Sequence, residues 1–202
     1  VDFDFVEAAI SVLDTRFAAR ETGITDSRKV IRSCANAIRA LHREELDRAD
    51  ELIADAGDRL GRLLETLEGH PDILHAGFVQ DAAKEYAEAV VTRALFRGDA
   101  VPGFEELGID PVPYLHGLGE AVGEMRRRLL DLLRGGDLES AQKALDAMDA
   151  IVDLLAEIDY PDGMTNGLRR TTDVSRSLVE RSRADLTATV VQERLRKDLA
   201  SS

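Results

Sequence analysis

Tryptophan is absent from this 202-residue chain and aromatic residues make up only 4% of it, which removes the usual stacking platforms for single-stranded nucleic acid. Cysteine is reduced to Cys34, so no internal disulfide and no cysteine-based metal spacing exist, a usage that suits a reducing compartment. Cys34 falls on a helical pattern beside Ile31, Ala35 and Ile38, where a packed small residue is expected rather than a reactive thiol. Lysine is scarce, with only Lys29, Lys84, Lys143 and Lys197 against many arginines. Apolar runs are short and broken by charge, so neither a signal peptide nor a membrane span is expected, and the cytoplasm is the simplest location.

Strand signals are nearly missing too, and what fills the chain is aliphatic helix and acid. Leu, Ala, Val and Ile carry most of the 44% hydrophobic fraction. The formal charge of -13 would ordinarily argue against a polyanionic partner. Two readings of the acid stand side by side: an adaptation to high salt, and an ordinary acidic surface that keeps the protein soluble. At molar salt the screening length is about 3 Å, so net charge would then decide little about partners.

Apolar residues recur every three or four positions, which predicts one all-α domain spanning residues 1–202 and built of seven helices. The first covers residues 3 to 21 and ends near Gly23; the second opens at Thr25 or Asp26 and runs through Leu41. The third runs from about Glu45 to Gly69, and the fourth from residue 71 to 97 with proline in its first turn. Residues 97–113, with three prolines and three glycines, form the main loop. The fifth helix starts near Pro113 and ends at Gly135, the sixth spans Asp137 to about Asp159, a turn follows at Tyr160 to Gly163, and the last runs from about Thr165 to Leu199.

Two pairs of glutamates sit in otherwise apolar helical stretches, Glu85 and Glu88 in KEYAEAVVTRALF and Glu120 and Glu124 in YLHGLGEAVGEMRRRLL. Partners three or four residues apart share a helix face, so each pair sets two carboxylates side by side. Four such groups on adjacent helices invite a hard divalent cation, Mg²⁺ or Mn²⁺, whereas the missing cysteines and rare histidines disfavour zinc. The alternative is that these glutamates face solvent or pair with Arg93, Arg126, Arg127 or Arg128. His116 is either a ligand one turn before Glu120 or, more simply, a hydrogen-bonded structural histidine; His42, His70 and His75 are lone residues near helix ends. GLGEAVG lacks the strand and lysine of a phosphate loop. Arg169, Arg176 and Arg183 repeat every seven residues and form either a solvated stripe paired to Asp173 and Glu180 or a contact surface for phosphate or another subunit.

The strings KVIRSCANAIRALHRE, GFVQDAAKEYAEAVV, VPYLHGLGEAVGEMRRRLL and GLRRTTDVSRSLVERSRADLT, in that order, resemble the translin superfamily, and most of all its translin-associated factor X branch and archaeal members that serve as both subunits. The resemblance implies a seven-helix fold, a hollow homo-octamer and a metal-dependent endoribonuclease whose sites face the enclosed chamber. It places the family's carboxylates, in the patterns E-Y-x-E and D-x-x-G-E, on Glu85, Glu88, Glu120 and Glu124, with Mg²⁺ as the metal and Mn²⁺ as its substitute. Glu120 stands where the family commonly has Asp, and the added methylene alters metal geometry unless the backbone compensates. The resemblance also makes Arg169, Arg170 and Arg176 candidates for binding RNA, whether single-stranded, short duplex or tRNA-derived.

Two other functions fit the same residues: a non-catalytic assembly that binds single-stranded RNA or DNA, and an all-α nucleoside triphosphate pyrophosphatase. For assembly, the apolar face of Phe3, Phe5, Val6, Ile10, Leu13 and Phe17 offers more surface than one small bundle can cover.

Overall fold

The computed structural model describes residue 3 and residues 5–200. The ends of the expected domain, Val1, Asp2, Asp4, Ser201 and Ser202, lie outside the described residues. Among the described residues the protein is all-helical, with nine helices: α1 (Phe5–His42), α2 (Leu46–Leu67), α3 (Pro71–Leu74), α4 (Gly77–Arg97), α5 (Phe104–Leu107), α6 (Pro111–Gly135), α7 (Leu138–Ala156), α8 (Asp162–Thr165) and α9 (Leu168–Ala200). No described helix is long and apolar enough to cross a membrane.

The expected count of seven is corrected in four places. The first two predicted helices are one rod, because Gly23 does not end α1: it is buried, and a Cβ there would lie 2.9 Å from the Phe78 ring. This glycine serves a close approach, not a stop. The predicted fourth helix is instead broken between α3 and α4, where Ala76 is extended (φ -69°, ψ 148°). Residues 97–113 and the turn after Tyr160 each contain a single helical turn, α5 and α8.

Local chemistry explains the other boundaries. Asp110 caps α6 by accepting from the Val112 amide (2.9 Å), with Pro111 in the first turn where a missing N–H costs nothing. Asp137 does the same for α7 through the Ser140 amide (3.0 Å), after Gly136 has ended α6 in the left-handed region (φ 81°).

Helix α6 is the central rod, packed on α4, α7 and α9, while α1 lies against α2 and α4. One cluster of buried residues runs through these elements, including Val30, Leu60, Val91, Val122, Leu145 and Leu155. Burying each such aliphatic side chain stabilises the bundle by roughly 1.5–3 kcal/mol before chain entropy is counted. The first half of α1 does not share in this: Phe5, Ile10, Leu13 and Phe17 are all exposed.

Candidate metal centre

Two glycines of α6 set the site. At Gly117 a Cβ would come within 2.7 Å of the Ala87 methyl and 2.8 Å of the Lys84 carbonyl, so the α6 backbone lies directly on α4. At Gly119 it would collide with the Thr171 methyl of α9. The GLG of this segment is therefore a packing device that holds α6 between α4 and α9. Glu120, next along, is brought against the α4 pair. Tyr86 turns away toward α2, with its hydroxyl at the place a Cβ on Gly57 would need.

One ligand oxygen each from Glu85, Glu88 and Glu120 lies within 4.8 Å of the others. Glu88 is buried at 8% exposure, while Glu85 and Glu120 are partly open to solvent. Burial, followed by the charges of Glu120, Glu85 and Glu124, pushes the Glu88 carboxyl up to about 8, with Lys84 pulling the other way. Burial also lifts Glu85, against Lys84 and with Glu120. Behind the cluster, Cys34 is fully buried, and burial together with Glu85 and Glu88 pushes its thiol up to about 12. It is inert at neutral pH.

Glu124 is not part of the converging trio. Its Oε2 lies 2.5 Å from Nε2 of His42, and Arg127 stands 4.0 Å off. Facing a carboxylate, that ring nitrogen is the donor. Phe96 packs edge-on against the imidazole at 5.2 Å, so His42 is held from both sides. Glu124 nevertheless adds to the charge that Glu88 feels.

The arginines weighed as partners for these glutamates are mostly engaged elsewhere. Arg93 binds Asp50 and Asp99, Arg126 binds Asp185 and Ser182, and Arg128 binds Glu44. Among the described residues Lys84 is the cation that reaches the cluster, donating to Glu120 Oε1 at 2.7 Å and standing 3.5 Å from Glu85 Oε1. Burial alone would disfavour its charge, but the hydrogen bond to Glu120 and the neighbouring carboxylates outweigh that and raise the ammonium's pKa.

His116 is spoken for at both nitrogens. Nε2 donates to the Thr165 carbonyl (2.9 Å), and Nδ1 accepts from the Thr171 hydroxyl (2.9 Å). It fastens α6 to α8 and α9.

Two cavities meet at Glu120. One, of about 430 Å³, is lined by Glu88, Glu120, Arg170, Thr171, Val174 and Leu178. The other, of about 700 Å³, is lined among others by Asp81, Lys84, Asp110, His116 and Glu120. Of the three arginines expected to bind RNA, Arg170 alone faces the acidic trio, and it makes no ion pair among the described residues. Arg169 lies 3.6 Å from Asp159 and Arg176 3.2 Å from Asp173, while Arg183 reaches Asp149. The pairs expected four residues along the helix are thus replaced by other partners. His42 and Lys84 were invisible as site residues in the sequence; only Lys84 gave a local hint, adjoining Glu85.

No protein-family model matches the chain. An uncharacterized protein of Methanocaldococcus jannaschii, MJ0175, is 26% identical over 201 residues, covering 98% of this chain and 89% of that protein. The crystal structure of AfC3PO and that of its duplex RNA complex each superpose with a TM-score of 0.87 at 30% identity, covering 93% of this chain and 97% of theirs. Apo-NeC3PO shares the fold, with a TM-score of 0.84 at 20% identity over 94% of this chain and 99% of its own. With identity at that level across nearly the whole of the AfC3PO chain, this chain belongs to the translin superfamily.

Proposed function

We propose that the chain, acting as one domain over residues 1–202, is a metal-dependent endoribonuclease that cuts short single-stranded or small structured RNA inside a homo-octameric shell. The observation that carries this reading is the convergence of three glutamates from two helices, one of them buried, at the junction of two open cavities. An all-oxygen donor set suits Mg²⁺ or Mn²⁺. A cation there would also offset the burial and, after it, the neighbouring carboxylate charges that raise the Glu88 pKa. AfC3PO was solved with duplex RNA, which supports RNA as the class of partner.

Glu85, Glu88 and Glu120 would hold the ion, which would supply Lewis acidity toward a phosphoryl oxygen and make water at the site more acidic. Glu124, steadied by His42, adds a fourth negative charge at the edge of the trio. Arg170, without an ion pair among the described residues and across the smaller cavity from Glu88 and Glu120, binds a phosphate of the strand and aligns it with the carboxylates. The exposed apolar stretch of α1 is covered by other copies of the chain in the shell.

Labelled RNA mixed with the purified protein and Mg²⁺ is expected to be cut, and both EDTA and Glu88→Gln should slow cutting on the order of a hundredfold. Cleavage that survives EDTA refutes the reading. Arg170→Ala is expected to raise KM for RNA about tenfold, the size of one lost charge-assisted contact, with metal affinity unchanged.

A second reading, an assembly that binds RNA without cutting it, is favoured by Lys84, whose ammonium already neutralises Glu120. RNA retention on a filter without product would mark it.

A further inference from the structure

We infer that Lys84 is an exchangeable counter-ion: its ammonium holds the glutamate trio together when the site is free of metal and is displaced into the larger cavity when a divalent cation binds. The inference rests on the metal reading above and deepens it by naming what the metal must compete with. Three observations carry it. Lys84 Nζ lies 2.7 Å from Glu120 Oε1 and 3.5 Å from Glu85 Oε1, so it touches two of the three converging carboxylates, one on each helix. The Arg93, Arg126 and Arg128 side chains are held by Asp50 and Asp99, Asp185, and Glu44, and so do not compensate the trio. The same lysine lines the cavity of about 700 Å³, so its flexible stem has open space to swing into without disturbing the core.

The physical consequence is a trade. With the ammonium in place, carboxylates on α4 and α6 are bridged across the helix pair, and their mutual repulsion is partly cancelled. A divalent ion entering the trio brings more charge to the same oxygens, but it must first break the Lys84 contacts and then tolerate or expel a like charge a few ångströms away. Lys84 therefore weakens metal affinity while stabilising the metal-free protein. The neighbouring acids Asp81 and Asp110, on the wall of the same cavity, give the displaced ammonium a new anionic setting.

The test is a Mn²⁺ titration of the full chain, freed of metal by chelation, with free Mn²⁺ read by electron paramagnetic resonance. Wild type is compared with Lys84→Met, with Lys84→Gln as a second neutral variant should the first not fold, and with Lys84→Arg, which keeps the charge. The neutral variants are expected to bind Mn²⁺ at least about tenfold more tightly than wild type, and Lys84→Arg to stay near it. Their metal-free unfolding temperatures should fall below wild type, with the gap closing at saturating Mn²⁺. If wild type binds Mn²⁺ and the neutral variants bind it equally or less well, the counter-ion role is overturned and the metal reading stands. If neither wild type nor any variant binds Mn²⁺, it is the metal reading that fails, and the inference falls with it.

Discussion

A carboxylate such as Glu88, buried among three others, is costly to ionise, and the cost falls on the folded state alone. Its folded pKa of about 8 lies above the ordinary value of 4.5, so the folded protein holds the proton more tightly than the unfolded chain does. The associated stability is fully present below pH 4.5 and is lost as pH rises through 8. Metal-free protein should therefore melt at falling temperatures from about pH 5 to 9, and Glu88→Gln should flatten that slope; calorimetric scans across the range read both. His42 matters through Glu124. Replacing it as His42→Leu removes the donor at 2.5 Å while keeping bulk against Phe96. Metal affinity or kcat should drop by about tenfold or more, while His42→Gln, which retains a donor, should recover part of it. The pairing of Glu85 with Glu88 was legible in the sequence because spacing along one helix is local, whereas Glu124, expected beside Glu120, turns to His42. Lys84 and His42 were not, because their partners lie 36 and 82 residues away and only packing brings them near.

At the scale of elements, the approach of α6 to α4 determines whether the two acidic faces meet. Gly117 permits it, since a methyl there would come within 2.7 Å of Ala87 and 2.8 Å of the Lys84 carbonyl. Gly117→Ala should cost about 1–3 kcal/mol in denaturant unfolding, and it should weaken Mn²⁺ binding more than it weakens the fold, because spreading the helices separates Glu120 from Glu85 and Glu88. The same contrast between local and tertiary causes explains which boundaries were readable. Gly136 and Asp137 act on their own neighbours, so the end of α6 and the start of α7 follow from sequence, whereas α6 begins at Pro111, capped by Asp110, two residues before the expected Pro113. Gly23 was misread as a stop because its reason is a ring from α4, and the break at Ala76 was passed over although Gly77, a helix breaker, follows it. Likewise, the seven-residue arginine repeat along α9 is real in sequence, yet only the fold shows that Arg170, outside the repeat, faces the glutamates.

For the whole molecule, the first half of α1 leaves Phe5, Ile10, Leu13 and Phe17 exposed, and the end of α9 adds Val191, Leu195 and Leu199. Apolar rods of this kind are stable in water when another surface covers them. A double change, Ile10→Glu with Phe17→Glu, should lower the light-scattering mass while leaving helical circular dichroism near that of the parent; an unchanged mass would remove α1 from the assembly surface. The net charge of -13 bears on the same question. With so many acids, the proposed RNA binding requires cations gathered locally, and it should strengthen as salt first screens the global repulsion.

Every step from geometry to the proposed RNA cleavage passes through one event, capture of a divalent ion by carboxylates from α4 and α6. Crystals soaked in Mn²⁺ and measured for anomalous scattering address it directly. The expected result is a peak among the oxygens of Glu85, Glu88 and Glu120, with the Lys84 ammonium moved off Glu120. An empty trio at saturating Mn²⁺, with Lys84 still bound there, would contradict the account.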